Sequence, residues 1–173
     1  ISKKDIIANL PYVSGCYLAF DHHSSEISRL SKKRPNQIIN PKAPSAARVL
    51  YEYYGGEDQF TGISTDLLDA VDKCDSGQFS MDDVLNPEGW PLLNFIMDPR
   101  TGLGRFHGFR FPNYELMMNL VEWCQEYSVD EILELPDVKE RVQLYREQEK
   151  MFKEQIKRRA EIIGNLIFLN YLE

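Results

Sequence analysis

Hydrophobic and polar positions alternate in blocks along this chain, and each change of period marks an element. Residues 5–10 are apolar and stop at Pro11. Residues 16–20 (CYLAF) are a second short apolar run, entered from Gly15 and followed at once by polar residues. Runs this short, bounded by glycine and proline, predict buried strands. Residues 24–44 are polar and broken by Pro35, Pro41 and Pro44. They predict a loop with one extended piece over residues 37–40.

After Pro44 the period becomes helical. Ala46, Val49, Leu50 and Tyr53 follow the i, i+3, i+4, i+7 rule, and Gly55-Gly56 ends the run. Residues 65–74 predict a second helix with Leu67, Leu68 and Val71 on its apolar face. Ser80 with Asp83 reads as an acidic capping box, and residues 90–97 as a buried helix. Asn113 is expected to cap a helix carrying Leu116, Met117, Leu120, Val121 and Cys124 on one side. Ser128 with Glu131, and Asp137 with Glu140, read as two further capping boxes. The second opens a helix over residues 138–163, about 40 Å long. Its apolar stripe (Val138, Val142, Tyr145, Phe152, Ile156) is narrow and the remainder is charged, which predicts a helix that bridges lobes or forms a coiled-coil seam. Gly164 is expected to end it, and the apolar run after it reads as a strand.

The 173 residues are 43% hydrophobic and 27% charged, which excludes disordered, collagenous and low-complexity classes. Twenty Lys and Arg against 27 Asp and Glu give a net charge of −7. Non-specific adhesion to nucleic acid or anionic membrane is thereby disfavoured, and a polyanionic substrate needs a local basic site or bound cations. No apolar run reaches the length of a membrane span. Cys16, Cys74 and Cys124 form no Cys-x-x-Cys pair, so neither a disulfide scaffold nor a thiolate zinc site is expected, and a reducing compartment, the cytoplasm, fits. The start at Ile1 within a strand and the apolar run at the other end suggest a piece of a longer protein.

Three places hold candidate chemistry. Asp21-His22-His23 directly follows the second strand, and ligands of open α/β sheets bind at the carboxyl ends of strands. Neutral imidazole binds transition ions and a neighbouring carboxylate can orient it; two surface histidines in a turn is the plainer alternative. Asp69, Asp72 and Asp75 recur every three residues on one helix, with Asp75 at its exit. A solvated acidic face is the bland reading there. Residues 98–111 (DPRTGLGRFHGFRF) hold three glycines and Arg100, Arg105, His107 and Arg110. Glycines admit close backbone approach and arginine forks match phosphate oxygens, although arginines paired with this protein's own carboxylates would look the same. Arg29, Lys32, Lys33 and Arg34 read as a solvated loop, and Tyr51, Tyr53 and Tyr54 as helix packing.

AFDHHSSE, PSAARVLYEYYGG, LLDAVDKCDSGQF and DPRTGLGRFHGFRFPNYELM, in that order, resemble the DHH phosphoesterase superfamily, and more narrowly its exopolyphosphatase-like branch. The resemblance covers most of residues 5–163. It implies an α/β fold: a doubly wound parallel-sheet lobe, here incomplete, over residues 1–136, a linker helix over 137–164, and the start of a smaller lobe at 165–173. It implies His22 as a metal ligand, Asp21 as its orienting carboxylate and His23 as a contact to substrate phosphate. One more carboxylate ligand is implied, with Asp75 the better match and Asp72 the alternative. Arg100, Arg105 and His107 are implied on the substrate side. The cofactor is a divalent ion, Mn²⁺ first and Mg²⁺ or Co²⁺ after it.

Two departures from the family pattern stand out. The family's first motif, with alternating aspartates, would lie before Ile1. The aspartate of its second motif is replaced by Asn9, a poorer ligand for a hard cation. The function implied is two-metal hydrolysis of a phosphoester or phosphoanhydride. Its substrate is a polyphosphate, another phosphate-containing small molecule or a short nucleotide, with no membrane partner and a homodimer as one open assembly. The reading from a different class is a catalytically silent binding or regulatory module that keeps the fold.

Overall fold

The computed structural model describes residues 1–29, 32, 34–98 and 108–169. The chain divides into two compact units, Ile1–Pro91 and Leu92–Glu173. The first contains β1 (Ile6–Ala8), β2 (Leu18–Asp21), α1 (Ser24–Arg29), β3 (Gln37–Ile39), α2 (Ala46–Tyr53), α3 (Thr65–Ser76) and α4 (Met81–Leu85). Helix α5 (Gly89–Met97) crosses the boundary. The second contains α6 (Asn113–Glu126), α7 (Val129–Glu134), α8 (Pro136–Arg159), β4 (Ala160–Ile163) and β5 (Leu166–Leu169).

β1, β2 and β3 form a parallel sheet with β2 in the centre. The α/β class and the parallel sheet expected from the sequence are found. The register pairs Ala8 with Phe20 and Asp21 with Ile39. Asn9, the residue after β1, and Asp21, the last of β2, therefore lie at the same edge. Backbone bonds from Asn9 N to the Phe20 carbonyl (3.0 Å) and from Asn40 N to the Asp21 carbonyl (3.1 Å) carry the ladder to that edge. Side chains alternate between faces. Ile7 and Ala19 pack with Cys16 in one cluster, and Phe20 packs with Ala43, Val49, Leu18, Ile38 and Leu50 in the other. The second cluster seats α2 on the sheet through Val49 and Leu50.

The helix boundaries follow capping chemistry more closely than apolar period. Helix α2 begins one residue after Ser45, whose hydroxyl accepts from Arg48 N; Pro44 lies before the cap rather than inside the helix. Helix α3 is capped by Ser64, runs to Ser76, and stops at Gly77 with φ 68°, a left-handed conformation that costs glycine little. The expected apolar face is corrected: Leu68, Ala70 and Asp72 are buried, while Val71 is exposed. Residues 24–29, expected to be loop, form α1, where Glu26 is buried and paired with Arg29 at 2.8 Å.

In the second unit, Asn113 does not cap α6. It is the first helical residue, Pro112 holds the cap position, and the Asn113 amide donates to the Met97 carbonyl at 2.9 Å. The Ser128–Glu131 box is present, whereas Asp137 and Glu140 do not form one. Pro136 instead starts α8, and Glu140 accepts from Arg110 N at 3.1 Å. Arg141 is fully buried in this region. Its guanidinium lies 4.0 Å from the Phe109 ring centroid and donates to the Phe111 carbonyl at 2.6 Å. Burial draws its pKa down, against the pull of Glu140 and Asp137. The long helix has 24 residues and ends at Arg159 rather than near residue 163. Ala160–Ile163 turn back through Gly164 (φ 61°) and pair antiparallel with Leu166–Leu169. A two-residue hairpin turn needs positive φ, which explains the glycine.

The Ser80–Asp83 and Ser128–Glu131 boxes carry a pH signature. Backbone N–H groups of Ser80 and Ser128 hold the two carboxyls below their ordinary values of 3.8 and 4.5, and the hydroxyls add to this. A depressed folded pKa gives stability that is present above the unfolded pKa and is lost as pH falls through the folded one. Thermal unfolding followed from about pH 5 down to about pH 3 should therefore show a falling midpoint, with a shallower fall in Asp83→Asn/Glu131→Gln. Equal slopes in the two proteins would contradict this.

Candidate functional site

All described parts of the candidate site lie in the first unit, at the carboxyl edge of the sheet. Asp21 closes β2 and is buried. Its Oδ1 accepts from His22 N at 2.7 Å and His23 N at 2.9 Å, and meets His23 Nδ1 at 2.7 Å. Three donors on one oxygen turn the chain sharply off the strand and fix the His23 ring. The expectation that Asp21 orients the His22 ring needs correction in detail. Asp21 reaches His22 only through its backbone. The His22 ring is held by the Ala43 carbonyl, 3.3 Å from Nδ1.

That contact decides the tautomer. A carbonyl can only accept, so His22 Nδ1 carries a proton, and in the neutral ring Nε2 presents its lone pair. His22 Nε2 is buried, lies 3.2 Å from Asp75 Oδ2, and forms no aligned hydrogen bond. A lone pair facing a carboxylate oxygen is repulsive unless a proton or a cation lies between them. Two cis donors with bonds of about 2.1 Å to one ion stand about 3 Å apart. The pair thus fits a shared divalent cation. Among the described residues, no group of three or more His, Cys, Asp and Glu side chains gathers around one point.

Asp75 is aimed by two further contacts. Asn9, with left-handed φ of 57°, donates its amide to Asp75 Oδ1 at 3.3 Å, and Ala46 N donates to Asp75 Oδ2 at 3.4 Å. Asn9 stands where the resemblance expects an aspartate, and it is an amide donor toward the carboxylate. Asp72, three residues earlier, is occupied elsewhere. Its Oδ1 accepts from the buried Ser45 hydroxyl at 2.5 Å and its Oδ2 from Arg48 Nε at 2.7 Å. Arg48 Nη2 also pairs with Asp72 and reaches Asp69 at 2.7 Å. Burial pulls the Arg48 pKa down, but the bonds to Asp72 and Asp69 outweigh it and the net shift is upward. The acidic string is therefore three different things: Asp69 exposed, Asp72 buried and ion-paired, Asp75 beside the histidine.

Arg100, Arg105 and His107 lie outside the described residues, so the structure does not place them relative to this edge. Sequence reasoning missed Ala43, Ser45 and Arg48. Ser45 was legible as a cap before α2, and Arg48 as the one cation on a helix able to meet an acidic one. A backbone carbonyl such as Ala43 leaves no mark in the sequence.

No family model and no curated protein matches the chain. Among solved structures, the pGpG-specific phosphodiesterase PggH of Vibrio cholerae matches with a TM-score of 0.82 and 52% identity. The match covers 97% of this chain and 53% of that one. The mixed α/β fold with its parallel three-stranded sheet matches a DHH-like domain. This likeness supports the DHH type and not the exopolyphosphatase-like branch expected from the sequence. The chain spans about half the length of the solved structure it matches. No helix among its described residues is long and apolar enough to cross a membrane.

Cys74 sits next to Asp75, yet burial raises its thiol to about 11 from the ordinary 9.0, and Asp75 adds to the rise. At pH 8 its thiolate fraction is about a hundredfold below that of an unperturbed thiol. Iodoacetamide labelling followed residue by residue by mass spectrometry should find Cys74 correspondingly slow. Labelling at the rate of a free thiol would contradict the burial and argue for a thiolate at the site.

Proposed function

We propose that this chain is the metal-binding part of a phosphodiesterase that hydrolyses a short linear dinucleotide of the pGpG class. The observation that carries the reading is the bare His22 Nε2 facing Asp75 Oδ2 at 3.2 Å, on a fold 52% identical to a pGpG-specific phosphodiesterase. A phosphodiester linked to a terminal phosphate is a compact polyanion. A protein of net charge −7 accepts it only where cations and arginines reverse the local sign.

His22 Nε2 and Asp75 Oδ2 hold a divalent ion in this reading. Imidazole with carboxylate suits Mn²⁺, and Mg²⁺ or Co²⁺ after it. Such an ion, when bound, supplies Lewis acidity for a water nucleophile and neutralises phosphoryl oxygens. The chain's own groups do the rest. The Ala43 carbonyl keeps the His22 proton on Nδ1, so Nε2 stays a ligand. Asp21 fixes His23 through Nδ1, and the half-exposed ring is left to offer Nε2 to substrate. In its imidazolium form His23 donates Nε2–H to a phosphate oxygen. Arg100, Arg105 and His107 serve the substrate's remaining oxygens, on the chemistry of their side chains. Asp72 is not proposed as a ligand, because Ser45 and Arg48 already use both of its oxygens.

The second reading, a silent binding module, is favoured by Asn9 alone. A neutral amide next to Asp75 weakens the hold on a hard cation. Phosphate and nucleotide release by the full-length protein separates the two. With Mn²⁺ present, pGpG should be cleaved at least tenfold faster than inorganic polyphosphate, pyrophosphate or a cyclic dinucleotide. Binding without turnover would support the silent module, and preferred turnover of polyphosphate would overturn the dinucleotide assignment. His22→Ala should abolish the rise in unfolding temperature that Mn²⁺ produces; a rise that survives intact would refute the ligand assignment. Arg100→Ala should raise KM for pGpG about thirtyfold or more, since truncating one partner of a charged pair costs about 2 kcal/mol or more, while Mn²⁺ affinity holds. An unchanged KM would count against a substrate role.

A further inference from the structure

Asp72, Arg48 and Ser45 form a bonded polar cluster between α2 and α3, and the hydrolytic reading uses none of them directly. Asp72 is buried on the inner face of α3. Each of its side-chain oxygens has its own partner on α2 or at its cap: Ser45 Oγ on Oδ1, and Arg48 Nε on Oδ2. Ser45 Oγ also accepts from Arg48 N at 2.9 Å, and Arg48 extends its second arm to Asp69 at 2.7 Å. The Asp72 carbonyl accepts from Ser76 Oγ at 2.7 Å, which firms the last turn of α3. The start of α2 is thus bolted to the end of α3. Asp75 lies in that last turn, between Ala46 N of the same helix start and His22 Nε2.

We infer that Ser45, Arg48 and Asp72 form a positioning device that sets the separation of Asp75 from His22. The inference rests on the reading of His22 and Asp75 as a cation site. A buried ion pair adds little net stability compared with apolar groups of similar volume. What it does supply is direction: a planar guanidinium and a hydroxyl fix one orientation of one carboxylate, whereas apolar packing tolerates sliding. The carboxylate fixed is one turn from Asp75 on the same helix. A shift of α3 along α2 moves Asp75 away from Nε2 and opens the 3.2 Å gap. These three are positioning residues; none touches the cation or substrate in this scheme.

The test separates position from stability by measuring Mn²⁺ affinity calorimetrically in the full-length protein and unfolding temperature in EDTA. Arg48→Lys keeps the charge and removes the two-pronged geometry. The double variant Arg48→Met/Asp72→Leu replaces the pair with apolar groups. Both should bind Mn²⁺ tenfold to a hundredfold more weakly, the range seen when groups that orient metal ligands are removed. The double variant should keep its unfolding temperature in EDTA within a few degrees. Mn²⁺ affinity within twofold of wild type in Arg48→Lys overturns the inference, and that variant decides alone if the double variant fails to fold. Asp75→Asn is the control for the underlying reading. If it too leaves Mn²⁺ affinity unchanged, the cation site itself is misplaced and the positioning role falls with it. If Asp75→Asn weakens binding and Arg48→Lys does not, only the positioning role is lost.

Discussion

A single buried oxygen, Asp21 Oδ1, sets the geometry at the edge of the sheet. It accepts two successive backbone N–H groups and meets a histidine ring nitrogen within 2.9 Å. A carboxylate this buried is tolerated only with such donors, and each donor constrains the chain. The two N–H groups force the backbone off β2 immediately, so that His22 and His23 diverge. One ring goes down toward Ala43 and α3, and the other stays at the surface. Their ring centroids remain 4.4 Å apart at an angle of 63°. The sheet register does the complementary work, since Ala8 opposite Phe20 brings Asn9 to the same edge.

The opposite wall is built by helix contacts rather than by the sheet. Phe20, Val49 and Leu50 seat α2 on β2, and Ser45 with Arg48 ties α3 to α2. Asp75 is therefore two contacts removed from the strand that carries His22, and its position is only as good as those contacts. Half of the four aspartates of α3 are spent internally: Asp72 and Asp69 share one guanidinium. Among the described residues, the hydrogen-bond donors to Asp75 are weak, at 3.3 and 3.4 Å.

The family resemblance implied the parallel α/β class, and the short apolar runs ending at Pro11 and before Asp21 marked two of its strands. It also carried the His22–Asp75 neighbourhood, through the order of motifs rather than their spacing. Other features were not legible, for identifiable reasons. Helix α1 has six residues and no apolar stripe, so nothing distinguishes it from loop. The strand Ala160–Ile163 follows a charged helix without a break, and only Gly164 betrays the hairpin. Asp72 looked like part of a solvated face because a period of three cannot say which member turns inward. That depends on Arg48, twenty-four residues away and on another helix. The role of Ala43 is a backbone matter and was invisible to side-chain reasoning.

Nitrogen hyperfine coupling to Mn²⁺ bound to the full-length protein probes the central claim, that the Nε2 lone pair of His22 grips a cation. One directly bound imidazole nitrogen should appear, change with ¹⁵N-histidine labelling, vanish in His22→Ala and persist in His23→Ala. A coupling that survives in His22→Ala, or its absence from the wild-type protein, would contradict that claim.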